Sequence, residues 1–210
     1  MAPSTTGPKP LSSEWFSRPS TQVAPDLLGC QLLRKLGNEV IRGQIVETEA
    51  YEAGDPAMYA YQRKTERNAA VFGPAGIIYI YRIYRQYHCF NIVTDREGFA
   101  STILIRAVHL DHRPSWVVPK KTPAANSLEK LAAGPGKLCI ALALDESFRG
   151  LSASPETGIW VEAGQARDSA SGMTSKATSE VVQTTRIGLS RGQDIPWRWY
   201  LRDSPAVSKR

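Results

Sequence analysis

Along residues 40–51 apolar and polar side chains alternate, with Ile41, Gly43, Ile45, Glu47, Glu49 and Tyr51 on one face and Arg42, Gln44 and Thr48 on the other. That period predicts a strand. Upstream, Val23, Leu27, Leu28 and Leu32 recur at helical spacing, which predicts a short amphipathic helix over residues 21–36, stopped by Leu36-Gly37-Asn38. Residues 53–76 hold the turn signals AGDP and GPAG around a basic stretch, QRKTERN, and read as loop. The run IIYIYRIYRQYHCFNIVTD then sets Tyr79 and Tyr81 on one strand face. Tyr84 breaks that parity, which predicts a turn or bulge over residues 82–86, a return strand over 89–94 and a third strand over 101–108 after DREG. Residues 109–127, basic and proline-bearing, read as a surface loop. Residues 128–133 and 137–144 read as helical on either side of GPGK, SASGMTSKATSE as a flexible excursion, and 181–188 and 199–202 as late strands. No internal repeat interrupts this order.

At 210 residues, 42% of them hydrophobic and 22% charged, the chain is long enough for one domain with a substantial core. The Pro-, Ser- and Thr-rich residues 1–10 cannot bury enough apolar surface to offset their ordering entropy and are expected to form a disordered tail. That opening lacks the apolar run of a secretory signal, and no stretch approaches the length of a membrane span, so an intracellular protein is expected. Cys30, Cys89 and Cys139, odd in number and set in apolar runs, read as buried reduced thiols. Neither paired-cysteine spacing nor a helical histidine pair is present, so no metal is expected. The formal charge of +6 favours a polyanionic partner, although a basic, solvated surface on an unrelated enzyme would give the same balance.

Candidate chemistry gathers at a few points. Glu47 and Glu49 end a strand face that is otherwise apolar, beside Tyr51, where an acid is costly unless it is paired, functional or emerging into solvent. Arg106 ends the apolar run TILIRAV, where a guanidinium needs an acid or a phosphate, a structural ion pair being the simplest case. Alternating tyrosines serve a core as readily as a ligand platform, and Asn91 could serve only to satisfy backbone groups at a turn. GPGK offers backbone donors beside a cation, without the spacing of a nucleotide-binding P-loop.

Jointly these motifs are far more specific than singly. GQIVETEAY, Thr65-Glu66-Arg67-Asn68, FGPAGIIYIYRIY, CFNIVT, ILIRA and GPGKLCIALA occur in one order, and with them the chain resembles the alkyladenine (3-methyladenine) DNA glycosylases of the methylpurine type. The resemblance runs from about Leu11 to Ser208. It implies a single-domain α+β fold over residues 11–208, with a curved antiparallel sheet, flanking helices and a protruding β-hairpin that intercalates into DNA. The implied partner is double-stranded DNA containing damaged purines. It also implies a monomer without cofactor, placed in the cytoplasm or nucleoid of a bacterium or the nucleus of a eukaryote.

Roles follow residue by residue. Glu49 is similar to the family's general base, which takes a proton from the attacking water, and Arg106 and the backbone carbonyl of Ile187 match its water-holding groups. Tyr51 and Tyr81 match the walls around the extruded base, Tyr59 stands where the family has a base-contacting histidine, and Asn91 matches the group that crowds the exocyclic amine of guanine. Tyr84 matches the wedge that fills the vacated stack. Thr65, Gly136 and Lys137 match phosphate contacts, with Arg85, Gln86 and Tyr87 expected to join them at the hairpin. Arg85 follows the wedge where the family usually has glycine, and His88 replaces a usual aromatic. No lysine occupies the position of a Schiff-base nucleophile, so hydrolysis without strand cleavage is expected. Two other readings fit the same residues: a lesion binder without catalysis, and a single-stranded nucleic-acid module that stacks bases on its tyrosines.

Overall fold

The computed structural model describes residues 9–58, 60, 63–119, 127–164 and 179–210. Two short helices, α1 (Ser13–Phe16) and α2 (Ser20–Asp26), precede strands β1 (Gln31–Leu36), β2 (Glu39–Glu52), β3 (Ile78–Ile83), β4 (Tyr87–Val93) and β5 (Ser101–Leu110). Helices α3 (Leu128–Leu131) and α4 (Pro135–Ala141) follow, then β6 (Ile159–Glu162), β7 (Val181–Thr184) and β8 (Arg198–Leu201). The strands form one antiparallel sheet in the order β3-β4-β5-β2-β1-β6, with β8 pairing both β2 and β7. This is an α+β fold, as the resemblance implied. Among the described residues no helix is long and apolar enough to cross a membrane.

The helix predicted over residues 21–36 is half strand. Pro25 deprives the helix of a backbone donor and it stops at Asp26, Gly29 at φ 89° turns the chain beyond it, and Gln31 onward pairs with β2. Gly37, at φ 60°, then supplies the left-handed position of the two-residue turn between Leu36 and Glu39. The first turn of α2 has no side-chain cap of its own. Instead the carboxylate of Glu52, at the far end of β2, accepts from the Ser20 hydroxyl at 3.0 Å and the Thr21 amide at 3.1 Å.

The single face predicted for residues 41–51 is also corrected. Ile45 pairs with Val108, Glu47 with Ala107 and Thr48 with Ile105, so Val46 and then Arg106 stand as extra residues in their strands. A bulge reverses the alternation. Ile41 and Ile45 face the main core before it, Val46 and Ala50 face the core after it, and Thr48 bonds to Ala24 of α2. Glu47, Glu49 and Tyr51 are thereby turned to the opposite face.

Ile78, Ile80, Phe90, Ile92, Ile103 and Ile105 join that main core with Val23 of α2 and Leu138 of α4, each burial worth roughly 1.5–3 kcal/mol. The other face has a smaller apolar cluster of Met58, Val71, Tyr79 and Val93 under the 3₁₀ helix Glu66–Phe72, which lies inside the predicted loop 53–76. β6 had no counterpart in the sequence reading; its backbone pairs with β1, and Pro10 and Leu11 lie along it. β7 stops at Thr184 rather than continuing to Gly188. Cys30, Cys89 and Cys139 are all buried thiols. Residues 1–8 and most of SASGMTSKATSE lie outside the described residues.

Candidate active site

In an antiparallel sheet, residues directly opposite one another share a face. Tyr79 of β3 pairs with Asn91 of β4, Asn91 with Leu104 of β5, Leu104 with Glu49 of β2, and Glu49 with Arg198 of β8. Two residues along their strands, Tyr51 and Tyr81 lie on the same face. The sheet therefore aligns the predicted acid, both predicted ring walls and Asn91 on one surface.

Glu49 is fully buried and held from three directions. Its Oε1 accepts the Ile187 amide at 2.8 Å, and its Oε2 accepts the Tyr51 hydroxyl at 2.8 Å and faces Arg106 Nη1 at 3.1 Å. An ionised carboxylate has about four acceptor positions. The described residues fill three of these, so that among them one position, on Oε1, is left to a further donor such as water. The resemblance assigned a role to the Ile187 carbonyl, and the structure brings that residue to Glu49 through its N–H. Burial, followed by the nearby charge of Glu49, pushes the Tyr51 phenol well above its ordinary range, and burial, with Cys89 opposite, does the same to Tyr81. Both rings thus remain neutral, with Tyr51 donating to Glu49. The Asn91 side chain donates to the carbonyls of Tyr79 at 3.1 Å and Cys89 at 3.2 Å, which fixes its amide with the carbonyl end turned away from those strands' acceptors.

Behind Glu49 lies a second acid. Glu47 is fully buried and accepts from Arg106 Nε at 3.0 Å, Arg198 Nε at 2.7 Å, and the Ser208 hydroxyl and amide at 2.9 and 2.8 Å. Burial opposes its ionisation, but Arg106, Arg198 and the Ser208 bonds together outweigh it and hold the carboxyl below the ordinary range. Arg106 feels the opposite balance, with burial weakening its charge and Glu49 and Glu47 more than restoring it.

A third pair was missed by sequence reasoning. Arg186, beside Ile187, is buried against Asp55: Nη1 donates to Oδ2, and Nη2 donates to Oδ1 at 2.8 Å. Nη1 also donates to the Ala50 carbonyl at 2.9 Å, and the guanidinium lies 4.6 Å from the Tyr51 ring centroid and 5.4 Å from that of Trp197. One face of Tyr51 is thus taken by the guanidinium, which fixes the plane of the ring. No periodicity relates residues 131 apart in sequence, and AGDP signalled only a turn. Ser208 and Arg198 gave no signal either.

Tyr84 stands 81% exposed at the tip of the β3–β4 hairpin, in the three-residue turn with Arg85 and Gln86. Tyr84 and Arg85 have φ values of 45° and 64°, left-handed positions that glycine fills without strain. The hairpin is flanked on both sides. A Cβ on Gly136 would lie 2.8 Å from Tyr87 Cδ1, so only glycine lets that ring rest on the start of α4. Arg67 Nη2 reaches the Arg82 carbonyl at 3.5 Å, and Thr65 caps its 3₁₀ helix by accepting the Asn68 amide at 3.4 Å. Arg63, Lys64, Arg67, Arg82, Arg85 and Lys137 are all exposed around this hairpin and its neighbours. Tyr59 lies outside the described residues.

The matching family model is that of methylpurine-DNA glycosylase (MPG), over residues 14–205. A relative from Synechococcus sp. (strain JA-3-3Ab) is 50% identical over 202 residues, spanning 93% of this chain and 97% of that one. One from Trichodesmium erythraeum is 44% identical over 95% of this chain and 97% of its own, and one from Carboxydothermus hydrogenoformans 37% identical over 95% and 99%. All three carry the name "Putative 3-methyladenine DNA glycosylase". The fold, the buried acid and these matches define the class: the protein is a DNA glycosylase. More narrowly, the chain belongs to the methylpurine-DNA glycosylase family.

Proposed function

We propose that the protein is a monofunctional glycosylase that flips alkylated or deaminated purines out of duplex DNA and hydrolyses their bond to deoxyribose. The substrate class is that of 3-methyladenine, 7-methylguanine, hypoxanthine and ethenoadenine. The observation that carries this reading is Glu49: an acid without solvent exposure, held by Arg106, Ile187 and Tyr51 on the face that bears Tyr81. In the proposed step a water oxygen bonds to the anomeric carbon, the glycosidic electron pair leaves with the purine, and Glu49 takes a water proton. Arg106 and Ile187 hold the acid and its water, while Tyr51 and Tyr81 enclose the base, with Tyr59 as a third contact and Asn91 reading its edge. A ring-alkylated purine is cationic, which favours both departure and aromatic contact.

Extrusion costs roughly a few kcal/mol, least for damaged or mispaired bases. Tyr84 offsets part of that cost by entering the vacated stack, and Thr65, Arg85, Gln86, Tyr87, Gly136 and Lys137 hold phosphates around the hairpin. No lysine serves as a Schiff-base nucleophile, so the product is an intact abasic strand. The test is a duplex carrying one of these lesions, assayed by alkali cleavage at the abasic site. Glu49→Gln is expected to lose about 10²–10⁴ in single-turnover rate. Full excision by that variant would remove the base assignment; strand scission without alkali would remove the monofunctional one.

A further inference from the structure

Four groups alternate in charge through the buried site. Glu49 faces Arg106 Nη1 at 3.1 Å, Arg106 Nε donates to Glu47 at 3.0 Å, and Arg198 Nε donates to the same Glu47 oxygen at 2.7 Å. The guanidinium of Arg106 is thus divided between two acids through different nitrogens. Its strand position reflects this: the paired irregularities at Val46 and Arg106 set both acids and the arginine on the side away from the main core. Ser208, near the end of the chain, closes the row with two donors onto Glu47, and Arg198 Nη2 donates to the Lys209 carbonyl.

We propose that Glu47 is a positioning residue for the reaction: by sharing Arg106 with Glu49, it fixes the guanidinium and divides the charge that Arg106 brings to bear on the acid. The proposal rests on the reading of Glu49 as the general base. If Arg106 had no second acid, its whole charge would bear on Glu49 in a dry environment, where opposite charges act strongly. The carboxylate would be held more firmly as an anion and would be a poorer base. Ionised Glu47 divides that attraction and adds its own repulsion. The groups facing Glu49 are Tyr51 on its own strand, Arg106 from β5, Tyr81 from β3, Cys89 from β4, and Arg186 and the Ile187 amide from the segment after β7. Those facing Glu47 are Arg106, Arg198 from β8, and Ser208. Of these cations, Arg106 is the one within ion-pair distance of both Glu47 and Glu49.

The experiment is the pH dependence of single-turnover excision from a hypoxanthine duplex, with thermal melting to confirm folding. Glu47→Gln keeps the shape and removes the charge. Its acid limb is expected to move lower by about one pH unit, and its plateau rate to fall about threefold as the base weakens. Glu47→Asp keeps the charge and is expected to hold the limb at the parent position, even where a shifted side chain lowers the rate. A structural role alone would lower rates in both variants without moving either limb. An unmoved limb in Glu47→Gln, or an equal movement in Glu47→Asp, overturns the proposal. Should Glu47→Gln not fold, the double variant Glu47→Gln/Arg198→Gln takes its place: it removes Glu47 together with its other cation, leaves Arg106 to bear on Glu49 alone and is expected to move the limb the same way, and an unmoved limb there overturns the proposal equally. Glu49→Gln belongs in the same assay. If it excises at the parent rate, the base reading fails and this proposal with it; if it is inactive while the Glu47→Gln limb stays in place, only the role of Glu47 fails.

Discussion

The buried charge cluster and the hairpin tip solve opposite problems. Around Glu49, three acids (Glu47, Glu49 and Asp55) meet three arginines (106, 186 and 198), every one of them buried and ion-paired. At the tip, Tyr84 and Arg85 are exposed on left-handed backbone. Groups that must hold a reacting geometry gain from being fixed before substrate arrives, because in a dry site their reorganisation would cost more than their charge supplies. Groups that meet a polyanion from solvent have no such need. The contrast lets each region be broken without the other.

The largest expected effect is the catalytic loss in Glu49→Gln, in which Arg106 keeps its pairing with Glu47. The next is on stability. Asp55→Asn leaves Arg186 buried beside a neutral partner and is expected to destabilise the fold by about 3–5 kcal/mol, read by urea or thermal unfolding. A loss within the range of surface substitutions would show that the pair is solvated and that Tyr51 is held by other means. A smaller effect is confined to acid. Glu47 ionises at lower pH when folded than when unfolded, so it stabilises the fold above the free-glutamate value of about 4.3, and that contribution is lost as pH falls through the folded value. Melting temperatures of Glu47→Gln should therefore depend less on pH in acid than those of the parent, and parallel curves would contradict the coupling.

Legibility in the sequence followed the same division. Strand alternation exposed β3, β4 and β5, and the motif order carried Glu49, Arg106, Tyr51, Tyr81 and Asn91 onto what proved to be one sheet face. What could not be read were features that depend on the register between distant segments. The bulge at Val46 changes which way Glu47 and Glu49 point without changing the local pattern. Asp55 and Arg186, like Glu47 and Ser208, meet only after the chain has folded. The division of residues 21–36 into α2 and β1 was partly visible in Pro25 and Gly29, but the leucine spacing fits a helix and a half-buried strand equally well once a turn is allowed between them.

At the tip, Tyr84→Ala tests whether exposure serves insertion into DNA. The ring touches little of the protein, so stability should stay within about 0.5 kcal/mol of the parent. Loss of one stacking partner should weaken engagement of a lesion duplex by about 1–3 kcal/mol. A single strand with the same lesion has no vacated stack to fill, and its excision should be spared. Equal losses on both substrates would argue against a wedge and for a general role of the ring in DNA contact.

The smallest effect sharpens the comparison most, because two opposing terms nearly cancel. Arg85 holds φ at 64°, which costs a non-glycine residue about 1 kcal/mol. Arg85→Gly relieves that cost but gives the unfolded chain extra freedom, worth about 0.4–1 kcal/mol in the other direction. Stability should therefore barely change, and any change in function must come from the side chain. If Arg85 neutralises one phosphate, the dependence of log binding constant on log salt concentration should be shallower by about 1 in the glycine variant. Binding at low salt should weaken accordingly, while single-turnover excision at saturating enzyme should match the parent, since Glu49 and its partners are untouched. An unchanged salt slope would place Arg85 off the DNA and leave its left-handed backbone without a functional account.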